Sequence, residues 1–261
     1  SVYGLDTMRK LLSYLDNPQD RLQFIHVGGT NGKGSVSSYI ATVLAKNGKK
    51  VGRYVSPTVS SYQEKIQYLS ENQIIMMSED ETAATLTQVK TCVDRMKDDG
   101  CALPTVFEIE TAMAFLLFIQ WKVDVVVLEV GLGGLLDATN VVQNVIATVI
   151  TPISVDHTRL LGDSVLKIAK EKAGIIKENH KVFAMQKDQE VIRLLEEYAI
   201  CKHATIHFAD PKAATIEEAS VEKTVFFLDN TRYTTHMPGL YQVENAMLAI
   251  EVCKGLQLSF I

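Results

Sequence analysis

Seven consecutive residues, Gly29-Thr30-Asn31-Gly32-Lys33-Gly34-Ser35, combine glycines, hydroxyls and a lysine in an arrangement suited to holding phosphate. Glycine lets the backbone curl closely round an anion with its N–H groups turned inward, and Lys33 adds a full positive charge. The generic phosphate loop, Gly-x-x-x-x-Gly-Lys-Ser/Thr, would place glycine at 27 and a hydroxyl at 34; this chain has Val27 and Gly34, with the hydroxyl one residue later at Ser35. Further along stand Ser56, Glu129 and the pair Asp156-His157. A hydroxyl, a carboxylate and an imidazole are ligand types for a hard divalent cation whose shell is completed by phosphate oxygens and water, so magnesium-ATP is the expected occupant. Each also has a plainer reading: Glu129 as a lysine's partner or a helix cap, His157 as a structural histidine, Ser56 as a turn residue before Pro57. Their joint placement is what favours the metal reading.

That placement depends on the elements that carry them. Residues 22–27 form an apolar run suited to a buried strand, and residues 35–46 have helical spacing that stops at Asn47-Gly48. The glycine-rich loop therefore lies between a strand and a helix N-terminus, which adds partial positive charge. Residues 50–55 read as a second strand ending at Ser56-Pro57, and a helix between two strands implies parallel pairing. Residues 123–130 are β-branched and nearly continuous, as in a central parallel strand, and end in Gly131-Leu132-Gly133-Gly134. Another such strand covers 144–153, a helix 166–177 and a shorter strand 181–185.

Ligands of open parallel sheets bind beyond the carboxyl ends of the strands, where Lys33, Ser35, Ser56, Glu129 and His157 would all stand. Lys172 lies on the helix of residues 166–177, and by its setting in the sequence it is a solvated surface charge. Residues 79–97 read as a polar helix and 108–121 as a buried one. Between 203 and 238 short alternating runs, split by Asp210-Pro211 and Asp229-Asn230, read as a small antiparallel sheet, before a last helix over 241–256. The expected fold class is α/β: a P-loop-type, mostly parallel sheet with helices on both faces plus a small antiparallel β-sheet.

Composition narrows the function classes. With 261 residues, 47% of them hydrophobic, the chain has ample material for a core. Its 26 Lys and Arg against 31 Asp and Glu give a net charge of −5, and no basic run interleaved with aromatics suggests nucleic acid. Cys92, Cys101, Cys201 and Cys253 show neither a C-x-x-C pair nor finger spacing, which fits a reducing cytoplasm. The most apolar stretches, 112–119 and 123–130, fall short of the roughly 18 apolar residues of a membrane span. The start has no basic head followed by an apolar core, and Ser1 in place of Met reads as a processed or trimmed beginning.

The ordered set of fragments resembles the folylpolyglutamate synthase and dihydrofolate synthase family, a branch of the Mur-type ATP-dependent amide ligases. The fragments are residues 26–35, Ser56-Pro57, Thr105-Val106-Phe107-Glu108, residues 128–134, Asp137-Ala138-Thr139-Asn140, Asp156-His157-Thr158, residues 171–177, and Gly239-Leu240-Tyr241-Gln242 with Asn245-Ala246. The resemblance implies that ATP phosphorylates a folate-type carboxylate and that the amine of L-glutamate attacks the acyl phosphate. It implies an ATP site at Gly29, Thr30, Asn31, Gly32, Lys33, Gly34, Ser35 and Asn245. Lys33, His157 and Lys172 would be catalytic, and Ser56, Glu129, His157 and Lys172, the last as a carbamate, would serve magnesium. Thr105, Phe107 and Glu108 would line the substrate side. Leu135 and Thr58 stand where the family often has Arg and His, both on that side, and bear on which acid is accepted.

Residues 1–261 would make up the Mur-ligase-like ATP-binding domain of a cytoplasmic monomer that meets neither nucleic acid nor membrane. The family's C-terminal ligase domain would be absent from this chain, leaving it inactive alone. Two alternatives are a nucleotide switch or carrier that makes no amide and a cell-wall Mur-type peptide ligase.

Overall fold

The computed structural model describes residues 4–154 and 164–259. Its centre is an eight-stranded sheet formed by β1 (Phe24–Gly28), β2 (Val51–Tyr54), β3 (Ile66–Ser70), β4 (Gln73–Met76), β5 (Val125–Glu129), β6 (Val145–Ile150), β7 (Lys181–Ala184) and β8 (Thr205–Phe208), in the order β4-β3-β2-β5-β1-β6-β7-β8. β3 and β4 add an antiparallel edge, and the other six strands are parallel. Every residue of β1 and of β5 is buried, as expected of strands covered on both faces.

Strand alternation sorts the core into two sides. Ile25, Val27, Val125, Val127, Ala147 and Val149 face α2 (Lys33–Lys46) and the final helix, whereas Phe24, Val126 and Leu128 face α1 (Asp6–Tyr14), α3 (Glu79–Asp98) and α4 (Val106–Gln120). Further along that second side, Val182 and Ala184 pack on α5 (Val165–Ala173) and α6 (Gln189–Cys201). α3 and α4 each open with a capping box, Ser78 with Glu81 and Thr105 with Glu108, which satisfies free backbone donors at both ends of the exchange. The last helix is α7 (Tyr241–Gly255).

The parallel sheet with helices on both faces and a separate antiparallel sheet is as expected, with four differences. β1 and β2 run parallel but do not pair, because β5 lies between them. The small antiparallel sheet is narrower than 203–238: it consists of β9 (Thr215–Ala219), β10 (Thr224–Leu228) and β11 (Thr231–Thr235), while β8 joins the main sheet beside β7. The β3–β4 hairpin and α6 occupy stretches to which the sequence pattern assigns no element. The helix expected over 166–177 ends at Ala173, and Lys177 lies beyond it.

Candidate functional site

The loop from β1 to α2 is pressed between two neighbours. Gly29 has φ +135°, and a Cβ there would lie 1.9 Å from Thr151 Oγ1; Gly32 has φ +87°, and its Cβ would lie 2.2 Å from Asn245 Oδ1. Glycine is thus required twice, by backbone conformation and by space. The N–H groups of Thr30 and Asn31 donate to Pro152 O at 3.1 and 3.3 Å, and Thr30 Oγ1 donates to Ser154 O at 3.2 Å. These two N–H groups are therefore occupied by the protein. The donors left for an anion are those of the first turn of α2, whose N-cap is Gly32 and which no described side chain caps. Gly32→Ala is expected to cost about 1–2 kcal/mol from the left-handed backbone alone. Displacement of Asn245 should add to this, seen as a lower denaturation midpoint together with weakened nucleotide binding.

Lys33 Nζ folds back over this loop, donating to Gly29 O at 3.2 Å and Thr30 O at 3.1 Å. Ser35 Oγ accepts from Gln242 Nε2 at 3.1 Å, and Gln242 Oε1 accepts from Asn245 Nδ2 at 3.0 Å, tying α7 to the start of α2. A cleft of about 490 Å³ opens here, lined by Asn31, Gly32, Ser35, Gln242, Glu244 and Asn245. Lys172 is not the solvated charge read from its setting: only 5% exposed, it donates from Nζ to Gly29 O at 2.7 Å. Its helix comes this close because residue 134 is glycine, where a Cβ would lie 2.5 Å from Glu171 O.

Glu129 ends β5 within reach of the same loop; a Cβ on Gly34 would lie 3.7 Å from its Oε2. Burial pushes its carboxyl up to about 7, against the opposing pull of the Lys33 and Arg53 charges and the Ser56 N–H. Ser56, after β2, is thereby placed at Glu129. A divalent cation fits this setting: a buried carboxylate facing a phosphate site gains the counter-charge that burial otherwise denies it. Among the described residues no three His, Cys, Asp or Glu gather closely enough to hold a metal, and His157 lies outside them.

The expected substrate-side residues have local structural roles. Thr105 and Glu108 are occupied with each other in the capping box of α4. Phe107 covers Gly131 at the end of β5, where a Cβ would lie 2.4 Å from its ring, and its ring centroid is 6.0 Å from that of Tyr54. Asp137-Ala138-Thr139-Asn140 is a buried brace. Asp137 accepts from the N–H groups of Leu132 and Thr139 and from Thr139 Oγ1. Because Thr139 Oγ1 gives its proton to Asp137, it accepts from His26 Nε2 at 2.9 Å; burial and Lys177 push that imidazole down to about 3, so it is neutral. Asn140 Nδ2 donates to Leu135 O and Gly174 O, fixing the Gly131–Gly134 turn to the end of α5.

Sequence reasoning did not single out Arg53. It is a charged residue inside the strand expected over residues 50–55, and that is the signal it offered.

Residues 27–253 match the family described as Mur ligase middle domain. The chain is 37% identical over 261 residues to the dihydrofolate synthase/folylpolyglutamate synthase of Bacillus subtilis, covering 97% of this chain and 59% of that protein. Its fold superposes on the crystal structure of folylpolyglutamate synthase from Thermotoga maritima with a TM-score of 0.87 and 31% identity, covering all of this chain (100%) and 60% of that one. An FPGS-AMPPCP-folate complex gives a TM-score of 0.87 at 28% identity, covering 100% and 65%. The chain thus spans about three fifths of the length of the Bacillus relative it matches.

Proposed function

The chain belongs to the folylpolyglutamate and dihydrofolate synthase family of Mur-type ligases, and from that premise we propose that it is the nucleotide-binding part of an enzyme joining L-glutamate to a folate-type carboxylate. The observation that carries this reading is the uncapped first turn of α2, with Lys33 beside it and Glu129 buried across the loop. The carboxylate oxygen of the acid takes the terminal phosphoryl group of ATP, releasing ADP. The glutamate amine then attacks the acyl carbon, phosphate leaves, and the nitrogen loses a proton.

In this reading the α2 donors and Lys33 hold the phosphates, and Lys33 counters the charge redistributed in phosphoryl transfer. Asn245 and its cleft take the adenine side. Ser56, Glu129 and His157 would hold Mg²⁺, with Lys172 supporting it as a carbamate. When bound, that ion supplies Lewis-acid polarisation of the transferring phosphoryl group. The burial of Lys172 beside the phosphate loop, its Nζ on Gly29 O instead of in solvent, supports the assignment. The acid lies toward Phe107, Thr105 and Glu108, in a cytoplasmic monomer.

The test is ADP release and amide formation with dihydropteroate or tetrahydrofolate and L-glutamate, measured on residues 1–261 and on a longer chain extended to the length of its relatives. ADP should appear with the longer chain only when both acid and glutamate are present. The shorter chain should bind nucleotide without making amide, since domain closure orients the reactants. Slow ADP formation independent of either substrate would instead indicate a nucleotide switch.

A further inference from the structure

The guanidinium of Arg53, on β2, lies between the phosphate loop and the antiparallel edge. Nη2 donates to Gly34 O at 2.9 Å and Nη1 to Gln67 Oε1 at 3.1 Å. Nε is buried and has no hydrogen-bond partner among the described residues. Gln67 is only 7% exposed and is itself held, its Nε2 donating to Glu64 O at 2.7 Å. Burial disfavours the charge on Arg53, and the charges of Glu129 and Glu64 oppose that. Gly34 belongs to the first turn of α2, so the carbonyl that Arg53 grips fixes the direction of the neighbouring N–H donors.

A neutral donor would suffice to hold one carbonyl. A half-buried cation costs desolvation energy, which Glu129 and Glu64 offset in part; Glu129 is itself pushed toward its neutral form by burial, so this edge can accept the further negative charge of a phosphate. We propose that Arg53 is a positioning residue of the nucleotide site: a second, strand-borne cation that aims the first turn of α2 and favours the terminal phosphate of a nucleoside triphosphate. This rests on the ATP reading above. It predicts selectivity by phosphate number, because the terminal phosphate brings the added charge toward Glu129 and Arg53, whereas a purely mechanical brace would serve ADP and ATP alike.

The experiment is calorimetric titration of metal-free protein with ATP and ADP in EDTA, for wild type, Arg53→Met, Arg53→Lys and, as control, Lys33→Ala. Arg53→Met should weaken ATP about tenfold, the size of one lost charged contact, and ADP about threefold or less. Arg53→Lys should recover most of the ATP affinity. Equal losses for the two nucleotides, or no recovery with lysine, would reduce Arg53 to a brace and overturn the proposal. Should Arg53→Met not fold, Gln67→Leu unpins the guanidinium while keeping its charge; it should give a smaller ATP-selective loss, and an unchanged ATP affinity would overturn the proposal. Wild-type protein that binds neither nucleotide, in EDTA or with Mg²⁺ restored, would overturn the ATP reading itself, an outcome distinct from uniform loss in the Arg53 variants.

Discussion

Lys33→Ala is expected to lower turnover in the proposed ligation by at least about 10²–10³-fold, the scale set by removing one preorganised charge-stabilising group. The ammonium rests on two carbonyls of its own loop, Gly29 O and Thr30 O, so it is already placed over the phosphate site at no further ordering cost. Charge on the transferring phosphoryl group is redistributed in the transition state, so turnover should fall further than ground-state nucleotide affinity. The fold should survive, because α2 is anchored by Val36, Ile40, Ala41 and Leu44, none of which depends on the lysine. Thermal melts and turnover on the same preparation check this. Wild-type rates in a folded Lys33→Ala protein would remove the phosphate-loop assignment. A second effect should accompany the loss: Lys33 is the larger of the two charges holding the Glu129 carboxyl down, so in the variant that carboxyl ionises at higher pH.

The metal-free fold should lose about 3 kcal/mol of stability through Glu129 alone as pH rises from 4.5 to about 7, given a carboxyl pushed from 4.5 to about 7 by burial. The folded protein holds this proton more tightly than the unfolded chain. The contribution is therefore complete below pH 4.5 and is lost as pH passes through 7. Glu129 is 4% exposed, so solvent screening takes little from the figure. Glu129→Gln should flatten this part of the profile and leave the metal-free protein more stable than wild type at pH 8. Added Mg²⁺ should raise the wild-type unfolding midpoint at pH 8, have little effect at pH 5, and have none on the glutamine variant. Urea titrations across pH 4.5–8.5, with and without Mg²⁺, measure all three. Coincident pH profiles for wild type and variant would contradict the buried, proton-binding carboxyl, and an Mg²⁺ response kept by Glu129→Gln would contradict its role toward the ion.

Much of the fold was legible because strands and helices announce themselves through local periodicity. The run Val125–Glu129 is apolar because both faces of its strand are covered, and Gly32 and Gly29 mark backbone that other residues cannot follow. The order strand, glycine-rich loop, helix was accordingly readable without coordinates, and with it the position of Lys33 at the start of α2. Glu129 at the carboxyl end of a central strand was readable for the same reason, since its burial follows from its strand.

Only the tertiary structure decided which strands touch and which polar residues go inside. β5 enters between β1 and β2 although about seventy residues of chain separate it from β2 (Val51–Tyr54 to Val125–Glu129), and no local pattern records that partner. Thr205–Phe208 alternates like a hairpin strand, yet β7 offers it a free parallel edge, so it joins the main sheet. Lys172 lies in a charged stretch that any helix could turn to solvent. It is buried because Gly134 lets α5 dock closely and Gly29 O accepts from its Nζ. Asp137 to Asn140 would pass for a polar turn, but through Thr139, His26 and Gly174 it becomes a buried brace. Periodicity is a property of neighbours in sequence; burial of a charge depends on partners distant in sequence, and those were fixed only when the sheet and its helices packed.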